Sequence, residues 1–184
     1  MTLIAAIKDE KGIHFVSDSR VTYEGGAVYD VCNKWKVIRK RSSKSSKILI
    51  GCAGSSRLDS LIASTTSAIA SASSAYEIAD ILKRAIILDN WRESKDEGGE
   101  PQSYSVDILL IFEKKLYRVG SDLSVTEIPD FVFVAVGSGE PYALGCSFTI
   151  KGKPAKTVLR MSVQAAIRFD PSCGGKIQYG LLEY

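Results

Sequence analysis

The sequence predicts an α+β fold in which two sheets pack together and each carries a pair of helices on its outer face. Two observations lead there. Strand-like and helix-like patterns come in blocks rather than alternating singly, with strands to residue 52, helices over 55–92, strands over 105–136, helices to 169 and a last strand. The first run, Leu3-Ile4-Ala5-Ala6-Ile7, is apolar at every position, as in a strand covered on both faces. With 184 residues, no internal repeat and no linker, the chain reads as one domain over 1–184 that buries roughly 70% of its unfolded surface.

The elements follow in order. Residues 3–8 and 12–18 read as two strands joined by the turn Asp9-Glu10-Lys11-Gly12. A shorter strand pair is expected over 27–32 and 34–39, then a strand at Ile48–Cys52. Leu58, Leu61, Ile62, Thr65 and Ile69 have helical spacing, with Ser55 or Ser56 as N-cap. A second helix is expected over 75–92, where Ile78, Ile81, Leu82, Ala85 and Ile86 share a face. The polar stretch 94–101 reads as a loop. Strands return at 105–112, 115–119, 124–128 and 131–136. A helix opens near Gly139, another covers Ala155–Phe169, and a strand runs from Lys176 to Leu182.

Composition excludes several classes. Hydrophobic residues at 45% and charged ones at 24% are ordinary globular values, and a net charge of +3 is weak support for a nucleic-acid partner. The basic stretch Arg39–Lys47 is interleaved with serines between two strand patterns, so it reads as a solvated hairpin rather than a phosphate-binding patch. Cys32, Cys52, Cys146 and Cys173 form no C-x-x-C pair, which argues for free thiols in a reducing cytoplasm rather than zinc or disulfides. No leader and no apolar run near 20 residues is seen, so neither secretion nor a membrane span is expected.

Most catalytic chemistries lack their parts. The single histidine, His14, lies inside a strand pattern and reads as a packed residue, which leaves a serine or cysteine nucleophile without a histidine base. No metal-ligand cluster and no nucleotide fingerprint occurs, so no cofactor is expected. What remains is a nucleophile that carries its own base. A threonine in second place permits removal of Met1. It would then hold an α-amine of pKa about 7.7–8 beside its hydroxyl. Such a device needs a cation to depress the amine pKa, a carboxylate to hold the cation, and N–H groups for an oxyanion. Asp18, abruptly charged after Ile13–Ser17, Lys34, and Ala53-Gly54-Ser55 at a strand-to-helix junction supply candidates. Singly each has an ordinary explanation, as a turn cap, a surface lysine and a turn glycine; the set carries the reading.

That set resembles the catalytic proteasome β subunits and the bacterial HslV-type peptidases. The resemblance runs through Thr2-Leu3-Ile4-Ala5-Ala6, Ser17-Asp18-Ser19-Arg20-Val21-Thr22, Lys34, Cys52-Ala53-Gly54, Val136-Gly137-Ser138-Gly139-Glu140-Pro141-Tyr142-Ala143 and Asp170-Pro171-Ser172-Cys173-Gly174-Gly175. It spans nearly the whole chain in order. It implies a four-layer αββα sandwich with N-terminal nucleophile chemistry. By position, Thr2 is nucleophile and base, Lys34 tunes the amine, Asp18 pairs with Lys34, and the Gly54 N–H lines an oxyanion hole. Ser138 bonds the amine with support from Asp170, Arg20 and Cys173 belong to the supporting network, and Cys52 shapes the substrate pocket. Cys173 stands where the family commonly has serine, and the hairpin insertion 41–47 is longer than in most members.

The resemblance implies a threonine endopeptidase acting on polypeptides, assembled as a homo-oligomeric ring and served by an ATP-dependent unfoldase, since this chain has no ATP motif. Two alternatives belong to other classes: a non-catalytic shell subunit, which has no need for the set Thr2, Asp18, Lys34, Gly54 and Ser138, and an amidase for small metabolites.

Overall fold

A computed structural model of the chain describes residues 2–22, 28–30, 33–43, 46–89 and 106–184. Among these, the strands are β1 (Ile4–Asp9), β2 (Gly12–Ser17), β3 (Val21–Thr22), β4 (Val28–Tyr29), β5 (Trp35–Arg39), β6 (Lys47–Gly54), β7 (Val106–Phe112), β8 (Lys115–Val119), β9 (Val125–Ile128), β10 (Phe133–Val136) and β11 (Gln178–Glu183). The helices are α1 (Ser56–Ser71), α2 (Ala75–Leu88), α3 (Glu140–Thr149) and α4 (Ala155–Phe169).

The first sheet is antiparallel in the order β10-β1-β2-β11, and the second in the order β5-β6-β7-β8-β9. Strand β1 is central and buried on both sides. Leu3, Ala5 and Ile7 face a core under α3 and α4, and Ile4 and Ala6 face the other sheet. The middle layer between the sheets holds Ile4, Ile13, Trp35, Leu49, Leu109, Ile111, Leu116 and Val136. The second outer core joins Ile48, Ile50, Ile108 and Leu110 to Leu58, Ile62, Ile78, Leu82 and Ile86 of α1 and α2. Each fully buried Ile or Leu contributes roughly 1.5–3 kcal/mol. These three apolar layers separate four layers of secondary structure, the αββα sandwich.

Local signals explain the helix starts. The Ser55 hydroxyl accepts from the Arg57 N–H at 3.3 Å, making Ser55 the N-cap of α1. Ser74 accepts from the Glu77 N–H at 3.1 Å while Glu77 accepts from the Ser73 N–H at 2.7 Å, a reciprocal cap. Helix α2 ends at Leu88; the expected extension to 92, the loop at 94–101, the strand residue at 105 and Cys32 lie outside the described residues, as do Met1 and residues 44–45 of the basic hairpin.

One pairing differs from expectation. Residues 28–29 pair with Val21–Thr22 in a ladder of their own, whereas Trp35–Arg39 pairs with β6 in the second sheet. The two short segments were expected to pair with each other because they are neighbours in sequence. Trp35 and Ile38 instead bury into the sandwich from opposite faces of β5, Trp35 between the sheets and Ile38 in the core under α1 and α2. His14 is buried, with Nδ1 2.6 Å from the Tyr179 hydroxyl and Nε2 2.9 Å from Asp9 Oδ2, as expected of a packed histidine. No helix among the described residues is long and apolar enough to cross a membrane.

Candidate active site

The hairpin register brings the first site residues together. Ile4 pairs with Ser17, so the residues just before β1 and just after β2 lie side by side. These are Thr2, Leu3 and Asp18. The Thr2 hydroxyl donates to Asp18 Oδ1 at 3.4 Å and the Leu3 N–H donates to the same oxygen at 2.9 Å. Lys34, entering β5 from the other sheet, donates from Nζ to Oδ1 at 2.7 Å. The Arg20 and Gly174 N–H groups donate to Oδ2 at 3.3 and 3.0 Å. The Lys34 and Asp18 side chains are 6% and 0% exposed, so both charges are withdrawn from water and must be matched by such partners.

A second group closes on Thr2 from the loop between β10 and α3. The Gly139 N–H donates to the Thr2 carbonyl at 3.4 Å. Gly137 has φ +103°, and a Cβ there would stand 2.1 Å from the Thr2 oxygen and 3.2 Å from the Ala53 Cβ. Only glycine fits so tight a contact. Ala53 is followed by Gly54, the last residue of β6, exposed and with φ +112°. The loop thus brings Thr2 beside the strand end that carries Gly54. Between the two loop glycines sits Ser138, whose hydroxyl is buried and makes no hydrogen bond among the described residues.

Asp170 caps α4 and accepts from the Ser172 N–H at 2.8 Å and the Cys173 thiol at 3.3 Å. Burial acts to raise its pKa. The nearby Ser138 hydroxyl, which lacks the geometry of a formed hydrogen bond, together with the Ser172 N–H and Cys173 outweighs that and holds the carboxyl below its usual range. The Cys173 thiol is itself pushed up to about 12, chiefly by burial.

No protein-family model matches the chain, and no curated protein matches it. Solved structures do. The chain superposes on Thiobacillus denitrificans BPH with a TM-score of 0.75 at 22% identity, covering 99% of this chain and 98% of that one. It matches HslV from Trypanosoma brucei with a TM-score of 0.67 at 19% identity, covering 100% of both chains. For the Anbu complex of Pseudomonas aeruginosa the TM-score is 0.74 at 15% identity, over 99% of this chain and 81% of that one. This is the proteasome-like fold of HslV and Anbu. Identities at this level carry the fold, while chemistry has to be argued from the site.

Within the HslV-like fold, the remaining expected residues divide. Arg20 joins the periphery of the cluster. Its Nε and Nη2 donate to Asp30 Oδ1 and Oδ2 at 2.9 and 3.2 Å, and its Nη1 to the Pro171 and Cys173 carbonyls at 3.3 Å each. It therefore anchors the 170–175 loop that supplies the Gly174 N–H to Asp18. Cys52 lies on the face of β6 opposite Ala53, half-buried against the α1/α2 core, and burial pushes its thiol pKa up. A groove of about 530 Å³ opens nearby between β5 and α1, lined by Trp35, Lys36, Asp59 and Ile62 among others.

Sequence reasoning missed the donors that come from the backbone. Leu3, Gly139 and Gly174 act through N–H groups, which carry no side-chain signal. It also missed Asp107 and Arg118, where a signal existed: both interrupt the apolar period-two alternation of their strands on the inward face.

Proposed function

We propose that the chain is a threonine-type endopeptidase that acts through Thr2 once Met1 is removed, and that it belongs with the proteasome-like N-terminal nucleophile hydrolases. The observation that carries this reading is the meeting of the Thr2 hydroxyl and the Lys34 ammonium on one oxygen of the buried Asp18. Removal of Met1 turns the Thr2 nitrogen from an amide into an amine that can take the hydroxyl proton. The Lys34 charge favours the neutral, basic amine. Asp18 is engaged by five donors and serves as a fixed charge that holds Lys34.

The Thr2 oxygen then attacks the peptide carbonyl, and the Gly54 N–H receives the developing oxyanion. The protonated amine passes its proton to the leaving nitrogen, the acyl chain stays on Thr2, and water releases it by the reverse path. Ser138, with a buried hydroxyl beside Asp170 that completes no hydrogen bond among the described residues, is suited to bond the amine and relay protons. Cys52 borders the pocket for the substrate side chain.

Two structural relatives support the wider reading. BPH has been solved in complex with epoxomicin, and Anbu of P. aeruginosa forms a helical assembly. This chain is accordingly expected to bind epoxomicin, to form a closed ring or helical homo-oligomer, and to receive polypeptides from an ATP-dependent unfoldase. Its free cysteines among the described residues fit a reducing cytoplasm.

The test is intact mass together with turnover of fluorogenic peptides. Protein lacking Met1 that cleaves peptides, and loses both cleavage and epoxomicin binding in Thr2→Ala, supports the reading. Assembly without turnover after Met1 removal points to a shell subunit, and turnover of small amides alone points to an amidase.

A further inference from the structure

The facing surfaces of the two sheets are apolar along most of their length, so charges between them require a reason. Strands β7 and β8 break the pattern at one end. Leu109 and Ile111 face the first sheet, and Asp107 shares their side of β7; Leu116 does the same on β8, and Arg118 shares its side. Arg118 pairs in register with Leu109, which places it diagonal to Asp107. Its Nη1 and Nη2 donate to Glu140 Oε1 and Oε2 at 2.8 and 3.2 Å, and Nη2 also donates to Asp107 Oδ1 at 3.2 Å.

The two partners belong to different halves of the site. Glu140 opens α3 directly after Gly139, whose N–H holds the Thr2 carbonyl. Asp107 pairs with Ala53, and its neighbour Val106 pairs with Gly54. Arg118 therefore grips the loop that holds Thr2 with one side of its guanidinium and the strands that carry Gly54 with the other. Each of the two nitrogens engages its own Glu140 oxygen, a planar fork that a lysine cannot reproduce.

We propose that Arg118 is a positioning residue: by clamping Glu140 to Asp107 it sets the separation between the Gly137–Gly139 loop at Thr2 and the end of β6 at Gly54. The catalytic consequence rests on the peptidase reading above. The Arg118 side chain is 35% exposed and that of Glu140 21%, so the pair is not a large source of stability. Its effect falls on geometry, where a displacement near 1 Å can cost about a hundredfold in rate. Turnover should then move while the melting temperature hardly does.

The experiment uses Glu140→Gln, Arg118→Lys and the double variant. Kinetics on a fluorogenic peptide are read beside amide exchange at Gly139 and Ala143. Each single variant is expected to lower kcat about tenfold with KM within about twofold, and to speed exchange over 137–143 while amides of β1 and β2 keep their rates. The double variant should be no worse than the worse single one, since the two side chains act as one device. Unchanged kcat in both single variants of an active enzyme overturns the proposal, as does unchanged exchange. If the unmodified protein, freed of Met1, cleaves nothing, it is the peptidase reading that falls, and exchange alone then decides whether Arg118 positions the loop.

Discussion

The space between the two sheets has two unlike ends. At one, Ile13, Ile111 and Leu116 are fully buried in an apolar layer completed by the partly buried Ile128 and Leu182. At the other, Thr2, Asp18 and Lys34 are buried together, with Ser138 beside them and Arg118 and Asp107 at the rim. The apolar end stabilises the fold by leaving water. The polar end does not: withdrawing two charges from water costs free energy that mutual pairing at best offsets. A sandwich built only for stability would be apolar throughout, so the difference separates what holds the molecule together from what it holds in place.

Substitutions at each end test that separation. The largest effect is expected for Thr2→Ala, which should remove measurable peptide turnover while the circular dichroism melt and the assembly size stay as they were. Undiminished turnover takes Thr2 out of the mechanism. Lys34→Ala should lower turnover by about a hundredfold or more and, by leaving Asp18 buried without its cation, destabilise the fold by about 3–5 kcal/mol in denaturant titrations. A small kinetic effect sinks its role toward the amine.

Leu116→Ala is the control at the apolar end. It should cost about 2–5 kcal/mol of stability with kcat per folded molecule unchanged. A kinetic loss comparable to that of Lys34→Ala would erase the contrast between the ends.

Smaller effects follow at the periphery. With its thiol held near 12, Cys173 should resist iodoacetamide at pH 8 in the folded protein, as read by peptide mass spectrometry, while the half-buried Cys146 reacts. Asp170 has a folded pKa below its unfolded value of about 3.9. Its contribution is therefore complete above that value and is lost as pH falls through the lowered one. Asp170→Asn should lower stability near neutrality, where the contribution is complete, and flatten the acid limb below about pH 4, where the parent loses it anyway; an unaltered acid limb removes Asp170 from that linkage.

The fold was legible wherever pattern and burial agree. Helix α4 spans Ala155–Phe169 as its periodicity demands, and β8 spans Lys115–Val119 between turn residues. Pairing was less legible, because alternation identifies a strand without naming its neighbour; hence residues 28–29 and 35–39 fell in separate ladders. In the site, Thr2, Asp18 and Lys34 were legible as residue types, and the structure brings their side chains together. Their backbone donors were invisible, since any residue supplies an N–H. Asp107 and Arg118 were visible as charges on an inward face, but the second partner of Arg118, Glu140, opens α3 after the first sheet, and that proximity exists only after folding.

The bond from the Gly174 N–H to Asp18 joins positions 156 apart in the sequence. Synthesis delivers Thr2 and Asp18 long before Gly174. Throughout elongation the Asp18 carboxylate lacks one of its donors, and β2 lacks its β11 neighbour. The cluster around Thr2 can close only once Gly174 has been made and folded back onto Asp18, so a growing polypeptide holds Thr2 long before the group that surrounds it is whole.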